Sequence, residues 1–350
     1  MTSTQKKPAL PAHETEAGRT LSHLVYRPWD GQLVAAAVRF GLAEKLADGP
    51  RSASSFAAEI GGNPRTVEQF LRACGVLSLV ERNARGEYAL TELGAALRAD
   101  TGLLANMALM QMGEGMWNRM ARLHETVLTG RPIRDERGEE LYDYYTRHPE
   151  ERGWHAAAMA DLTADAGQAL AEQYDFGPYQ EIVDIGGSMG LLLSKVLPAA
   201  PHVHGTVVDR PPIVENAREV ARTYGLGDRL SFTGGDFFAS DLPKGDLYLL
   251  KTVLCDWGDE NAARILANAF RCTPPGAKLA VIDWVRPDDP APHELDIMSI
   301  SLEVVTGGRV RTEAEFVALI ESVGYRFDST KTVASRARSR PWYVLEATRP

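Results

Sequence analysis

The run Glu181-Ile182-Val183-Asp184-Ile185-Gly186-Gly187-Ser188-Met189-Gly190, followed by Leu191-Leu192-Leu193-Ser194-Lys195-Val196-Leu197, predicts a buried strand, a glycine turn and an apolar helix. Gly186, Gly187 and Gly190 let the backbone bend sharply and approach a ligand with no Cβ in the way. The turn opens a helix whose first N–H groups lack partners, which favours a carboxylate or phosphate. Glycine turns also serve as ordinary strand-to-helix connections, so the neighbours decide. About twenty residues further on, after the apolar stretch Val203–Val208, Asp209 sits where an acid at a strand end accepts hydrogen bonds from a ribose diol. The G-x-G-x-x-G spacing is not met, because Ser188 stands in place of the second glycine. The pattern argues against a nicotinamide dinucleotide and for a nucleoside ligand without pyrophosphate.

From Glu181 onward strands and helices alternate. Strands are predicted at Glu181–Ile185, His204–Val208, Leu230–Thr233, Asp246–Thr252 and Leu279–Val285, with helices at Leu191–Leu197, Ile213–Tyr224 and Glu260–Arg271. This is the pattern of an α/β fold, a Rossmann-like doubly wound parallel sheet. The tail differs: Glu313–Val323 predicts a helix, and Tyr325–Val333 with Tyr343–Thr348 predicts a C-terminal antiparallel hairpin.

The N-terminal part is mostly helical. Residues up to Ala17 read as a polar, mobile lead-in, followed by helical periodicity from Leu21 to Leu46, divided at Gly41. Ser52–Ile60 and Thr66–Leu79 form a helix-turn-helix, and Leu79–Arg82 with Glu87–Leu90 a small wing. That outline matches a DNA-binding module, but the second helix offers only Arg72 and nearby Arg65 as cations, too few for strong phosphate contacts. Leu103–Leu128 reads as helical and rich in methionine, either core filling or the wall of a pocket containing Met116 and Trp117. Leu141–Tyr145 and Glu150–Tyr174 resume helices, and on the second of these His155, Met159 and Thr163 share one face.

Composition narrows the function. The chain has 350 residues and a formal charge of −9, which works against broad phosphate-backbone binding, so no nucleic-acid partner is expected. No apolar run reaches bilayer length and Met1–Ala12 has no signal-peptide core, so no membrane association is expected. Cys74, Cys255 and Cys272 have no paired spacing for a metal site or a disulfide framework, which fits a reducing, cytoplasmic location.

The glycine turn, Asp209, Gly235-Asp236-Phe237-Phe238, Leu249–Trp257 and Gly307-Gly308-Arg309-Val310-Arg311-Thr312, all in order, resemble one family. It is the class I S-adenosylmethionine-dependent O-methyltransferases of small aromatic metabolites, including plant phenolic and bacterial antibiotic enzymes. The resemblance covers nearly the whole chain. It implies a winged-helix-like dimerisation domain over 18–100, a helical linker with pocket helices over 101–175, and a cofactor-binding domain over 176–350. It also implies a homodimer formed through the N-terminal helices. By that resemblance Asp209 holds the ribose hydroxyls, Asp236 and Phe237 meet the adenine, Gly186 with Asp184 and Gly187 borders the methionine part, and Thr163 and Lys251 also touch the cofactor. Met116, Trp117, His155 and Met159 then line a pocket for an aromatic or polyketide acceptor. For Asp236 the alternative is a turn cap.

The departures concern the proton. In the plant enzymes the position of Cys255 is a histidine base held by two glutamates, whose matching places here carry Asp283 and Val310. A cysteine with a pKa of about 8.5 is a poor base at neutral pH, and its thiolate would compete for the methyl group. Cys255 therefore reads as a small pocket or core residue. Three routes stay open: Asp256 as base, His155 as base, or transfer driven by proximity and alignment. Relatives of this pattern that keep the cofactor but perform a hydroxylation or a pericyclic step supply a second functional reading, and a winged-helix regulator a third.

Overall fold

A computed structural model describes residues 15–98 and 103–350, in two compact units that divide between Glu114 and Gly115. Most of the predicted lead-in, residues 1–14, lies outside the described residues. Its end is already helical: Thr15 caps helix α1 (Glu16–Arg39) by accepting from the Gly18 N–H at 2.9 Å.

In the first unit, Gly41 in the left-handed conformation separates α1 from α2 (Leu42–Leu46). Ser52 caps α3 (Ala53–Ile60), and Asn63 with Pro64 starts α4 (Pro64–Val76). Strands β1 (Val80–Arg82) and β2 (Tyr88–Leu90) pair antiparallel as the wing. Phe56, Leu71, Cys74 and Tyr88 are buried together beneath it. Helices α5 (Glu92–Ala95) and α6 (Leu103–Met112) complete this part. The helical stretch predicted over Leu103–Leu128 consists of three short helices, α6, α7 (Glu114–Met120) and α8 (Leu123–Thr129), with breaks at Gly113 and at Ala121-Arg122.

The second unit continues with α9 (Leu141–Arg147) and α10 (Pro149–Gln173), which lead to the sheet. There β3 (Glu181–Ile185), α11 (Leu191–Ala199), β4 (His204–Asp209), α12 (Pro211–Ala221), β5 (Leu230–Gly234), β6 (Leu247–Lys251), α13 (Asp259–Cys272) and β7 (Lys278–Asp283) alternate as expected. Two short strands, β8 (Val285–Arg286) and β9 (Arg311–Thr312), pair parallel and flank α14 (Glu294–Val305). Helix α15 (Glu313–Ser322) and the hairpin β10 (Arg326–Val333) and β11 (Trp342–Thr348) end the chain. The sheet order is β10-β11-β7-β6-β3-β4-β5, with β3 to β7 parallel and β11 antiparallel to β7. From β3 the chain steps outward through β4 and β5, then returns to β6 on the other side. The crevice at the C-terminal ends of β3 and β6 is thus the topological switch point, where such sheets bind ligands. Among the described residues no helix is long and apolar enough to cross a membrane.

Candidate active site

The glycine turn leaves β3 at this switch point. Gly186 has φ +74°, and a Cβ there would lie 2.9 Å from Val253 Cγ2. A Cβ on Gly187 would lie 2.4 Å from Asp184 Oδ2, so side chains at both positions are excluded. Ser188, the non-glycine that breaks the dinucleotide spacing, also takes a left-handed conformation, φ +52°. Its N–H donates to Asp209 Oδ2 at 2.9 Å, and the Arg210 N–H donates to Oδ1 at 2.7 Å. Each Asp209 oxygen thus retains acceptor capacity beyond one backbone bond. Burial raises the Asp209 pKa, and the two N–H donors oppose the shift.

Asp184, 1% exposed, is the penultimate residue of β3, and its Oδ2 has no hydrogen-bond partner. Desolvation pushes its pKa up to about 7, opposed by the Lys251 ammonium. Lys251 closes β6 and donates to Thr163 Oγ1 at 2.9 Å, while the Thr163 hydroxyl donates to the Met159 carbonyl at 2.6 Å. Thr163 on α10 and Lys251, both of which the resemblance assigns to the cofactor, are thereby hydrogen-bonded to each other.

Asp236 is exposed and accepts from the Phe238 N–H at 2.9 Å, so it does cap its turn. That bond occupies one position of one carboxylate oxygen. Phe237 stands over the glycine turn, its ring edge 3.8 Å from where a Gly186 Cβ would be, and Trp257 meets Phe237 and Phe238 edge-on.

The reaction side is built on the loop after β6. Thr252 has φ +48°, a strained value for a β-branched residue. It is followed by a 3₁₀ turn over Leu254–Asp256. Cys255 is buried, and so is Asp283, whose Oδ1 accepts from the Trp284 N–H at 2.8 Å and whose Oδ2 has no hydrogen-bond partner. Burial raises the Cys255 pKa well above the ordinary thiol value, and the Asp283 and Asp256 carboxylates raise it further. Burial likewise lifts Asp283 to about 7. The next side chain, Asp256, accepts from the Tyr142 hydroxyl at 2.8 Å and is lifted to about 6 by desolvation, against that hydrogen bond and Lys251. His155 packs among Tyr142 and Tyr145, and burial alone lowers it to about 4.

Residues outside the expected set hold this loop. The fully buried Arg311 donates to the carbonyls of Leu254 and Trp257, both at 2.8 Å, and to Asp259. Gly308 lies against the same turn: a Cβ there would fall 1.9 Å from the Cys255 carbonyl oxygen. Val310 is buried and its N–H donates to Ser299 Oγ at 3.1 Å. Met116 lies in a buried cluster with Ile133, Tyr144, Tyr145 and Val304, and Trp117 beside it on α7 is half-buried.

The glycine turn, Asp184 and Asp209 thus gather at the C-terminal end of the sheet, with the half-buried Asp256 carboxylate on the loop after β6. The sequence matches the O-methyltransferase domain over residues 120–326 and the O-methyltransferase dimerisation domain over 23–100. The chain belongs to the O-methyltransferase family. This methyltransferase is 33% identical to the O-demethylpuromycin-O-methyltransferase of Streptomyces alboniger, over 97% of this chain and 91% of that one. It superposes on the mitomycin 7-O-methyltransferase MmcR with a TM-score of 0.88 at 30% identity, covering 95% of this chain and 98% of the other. It also superposes on CalO1, a methyltransferase in calicheamicin biosynthesis solved with S-adenosylhomocysteine bound, with a TM-score of 0.80 at 28% identity, covering 96% and 98%. Its cofactor is S-adenosylmethionine and its reaction is methyl transfer to oxygen.

Proposed function

We propose that this methyltransferase methylates a hydroxyl of a small aromatic natural product, with Asp256 receiving the proton. The observation that carries this reading is the half-buried Asp256 carboxylate, which accepts from the Tyr142 hydroxyl at 2.8 Å and whose pKa is raised to about 6.

The crevice fits the cofactor chemically. The unpartnered Asp184 Oδ2 suits a cationic ligand, the spare acceptor positions of Asp209 suit a diol, and Phe237 offers a face to a purine. Gly186, Gly187, Thr163, Lys251 and Asp236 complete the proposed set. When bound, S-adenosylmethionine supplies an electrophilic methyl group for in-line displacement.

The chain's own task is to hold the acceptor hydroxyl and remove its proton. Four groups compete for that proton, and their affinities rank them. Burial and the Asp283 and Asp256 carboxylates hold the Cys255 thiol protonated, so it is no base. Asp283 lies beneath Cys255 with no exposed surface. His155, at about 4, is a weaker base than Asp256, at about 6. A base is most effective when its pKa lies near the working pH, which selects Asp256. Met159 and His155 on α10, with Trp117 and Met116 on α7, are the side chains proposed to face the acceptor.

Incubation with methyl-labelled cofactor and a panel of phenols tests the reading. A product heavier by one methylene supports it. A product gaining one oxygen, or binding without labelled product across the panel, counts against it.

The exposed apolar side chains Leu21, Leu24, Val25 and Trp29 on α1, within the matched dimerisation domain, support a homodimer, checked by solution sizing. The free thiols Cys74, Cys255 and Cys272 fit a cytoplasmic location.

A further inference from the structure

The connection between β10 and β11 carries a second polar constellation at the C-terminal edge of the sheet. Asp165, two residues beyond Thr163 on α10, fixes this connection. Its Oδ1 accepts from the N–H groups of Arg336 and Ala337, both at 3.1 Å, and its Oδ2 from Ser335 Oγ at 2.7 Å and Trp342 Nε1 at 2.8 Å. Ion pairs from Arg336 to Glu172 and from Arg340 to Glu294 tether the same segment.

Arg338 is thereby set over an aromatic platform. Its guanidinium carbon lies 4.2 Å from the Trp342 ring centre and 5.6 Å from that of Trp284, and the two indoles stack at 5.8 Å with 25° between their planes. The Arg338 Nε and Nη2 atoms are buried and have no hydrogen-bond partner. These two N–H groups form one edge of the guanidinium, the edge that grips a carboxylate side-on with two parallel bonds. Asp165 is the nearby acid, but its carboxylate has about four acceptor positions and all four are taken. Buried donors left unpaired are costly, so the edge is built for an acceptor that the chain does not provide.

The platform adjoins the proposed active site. Trp284 follows Asp283 directly, and Lys251 Nζ lies 6.0 Å from the Trp342 ring centre. We propose that Arg338, on the Trp284–Trp342 platform, binds a carboxylate carried by the aromatic acceptor, so that the enzyme selects hydroxylated aromatic acids over their neutral counterparts. This rests on the aromatic-hydroxyl reading above and narrows it. The cofactor also carries a carboxylate, and the experiment separates the two sources.

The test uses equilibrium binding, so a failure of methyl transfer to the probes would bear on the hydroxyl reading and not on this one. The wild-type enzyme, Arg338→Gln and Arg338→Lys are titrated with 4-hydroxybenzoate and with neutral 4-hydroxybenzamide, at saturating S-adenosylhomocysteine, by calorimetry. The wild type should prefer the acid by about tenfold or more, the usual discrimination of a charge-assisted bidentate pair. Arg338→Gln should lose the preference, and Arg338→Lys, which keeps the charge without the fork, should retain part of it. Affinity for S-adenosylhomocysteine should stay within about twofold in both variants, which also reports that they are folded. Equal binding of acid and amide by the wild type, binding of neither, or a preference surviving in Arg338→Gln would overturn the proposal. So would a variant that loses S-adenosylhomocysteine affinity while keeping the acid preference, because the cofactor's carboxylate would then be the ligand of Arg338.

Discussion

The Tyr142 hydroxyl donates to Asp256 Oδ2 at 2.8 Å, joining α9 to the loop after β6 across 114 positions of sequence. If Asp256 takes the proton, Asp256→Asn should lower kcat by about a hundred- to ten-thousand-fold, the usual contribution of a general base. In the wild type the rate should rise as pH passes about 6 and then level off, and the asparagine variant should lack that limb. The Tyr142 bond favours the ionised carboxylate, so Tyr142→Phe should move the limb to higher pH. A pH–rate series on the three proteins checks all of this, and an unchanged limb in Asp256→Asn would remove Asp256 from the role.

Cys255→Ala should leave turnover within about tenfold, because a thiol that stays protonated cannot act as the base. Steady-state kinetics with cofactor affinity measured in parallel decides it. A collapse in rate with affinity intact would make Cys255 catalytic.

Asp209→Ala should weaken cofactor binding by about 1–3 kcal/mol, since buried hydroxyls and the N–H groups of Ser188 and Arg210 would lose their acceptor. Calorimetric titration with S-adenosylhomocysteine provides the number. Unchanged affinity would mean that another group holds the ribose.

Asp283 binds its proton more tightly folded than unfolded, its pKa raised from 3.8 to about 7. Such a group's stabilisation is fully present below about 4 and is lost as pH rises through about 7. Asp283→Asn does not titrate. Its stability relative to the wild type should therefore improve by on the order of 2 kcal/mol between pH 5 and pH 8. Chemical denaturation at the two pH values measures this, and a parallel loss in both proteins would contradict it.

Much of the fold was legible because the parallel strands are continuous apolar runs separated by turn residues. β3 falls on its predicted bounds, and the neighbouring strands differ only at their ends. Helix α14 escaped because Ser299-Ile300-Ser301-Leu302 alternates like a strand, and because its cap is His293, accepting from the Leu295 N–H, rather than a common capping residue. In the candidate site, Asp209 stood out because it directly follows a predicted strand about twenty residues after the glycine turn, while Asp184 and Lys251 came from the resemblance alone. Tyr142 was not, since nothing local marks a tyrosine whose partner is remote in the chain. Arg311 was visible only as part of a motif. In the structure Arg309 and Arg311 both reach Asp259. The Arg338 platform lies where the tail showed only a short basic loop between two strands.

Arg311 and Gly308 grip the loop after β6 by its main chain: two carbonyls as hydrogen-bond acceptors, and the carbonyl oxygen of Cys255 as a packing surface. None of these contacts uses the side chain of residue 255 or 256. The course of the main chain through this loop is therefore set by Arg311 and Gly308, separately from the groups that residues 255 and 256 present.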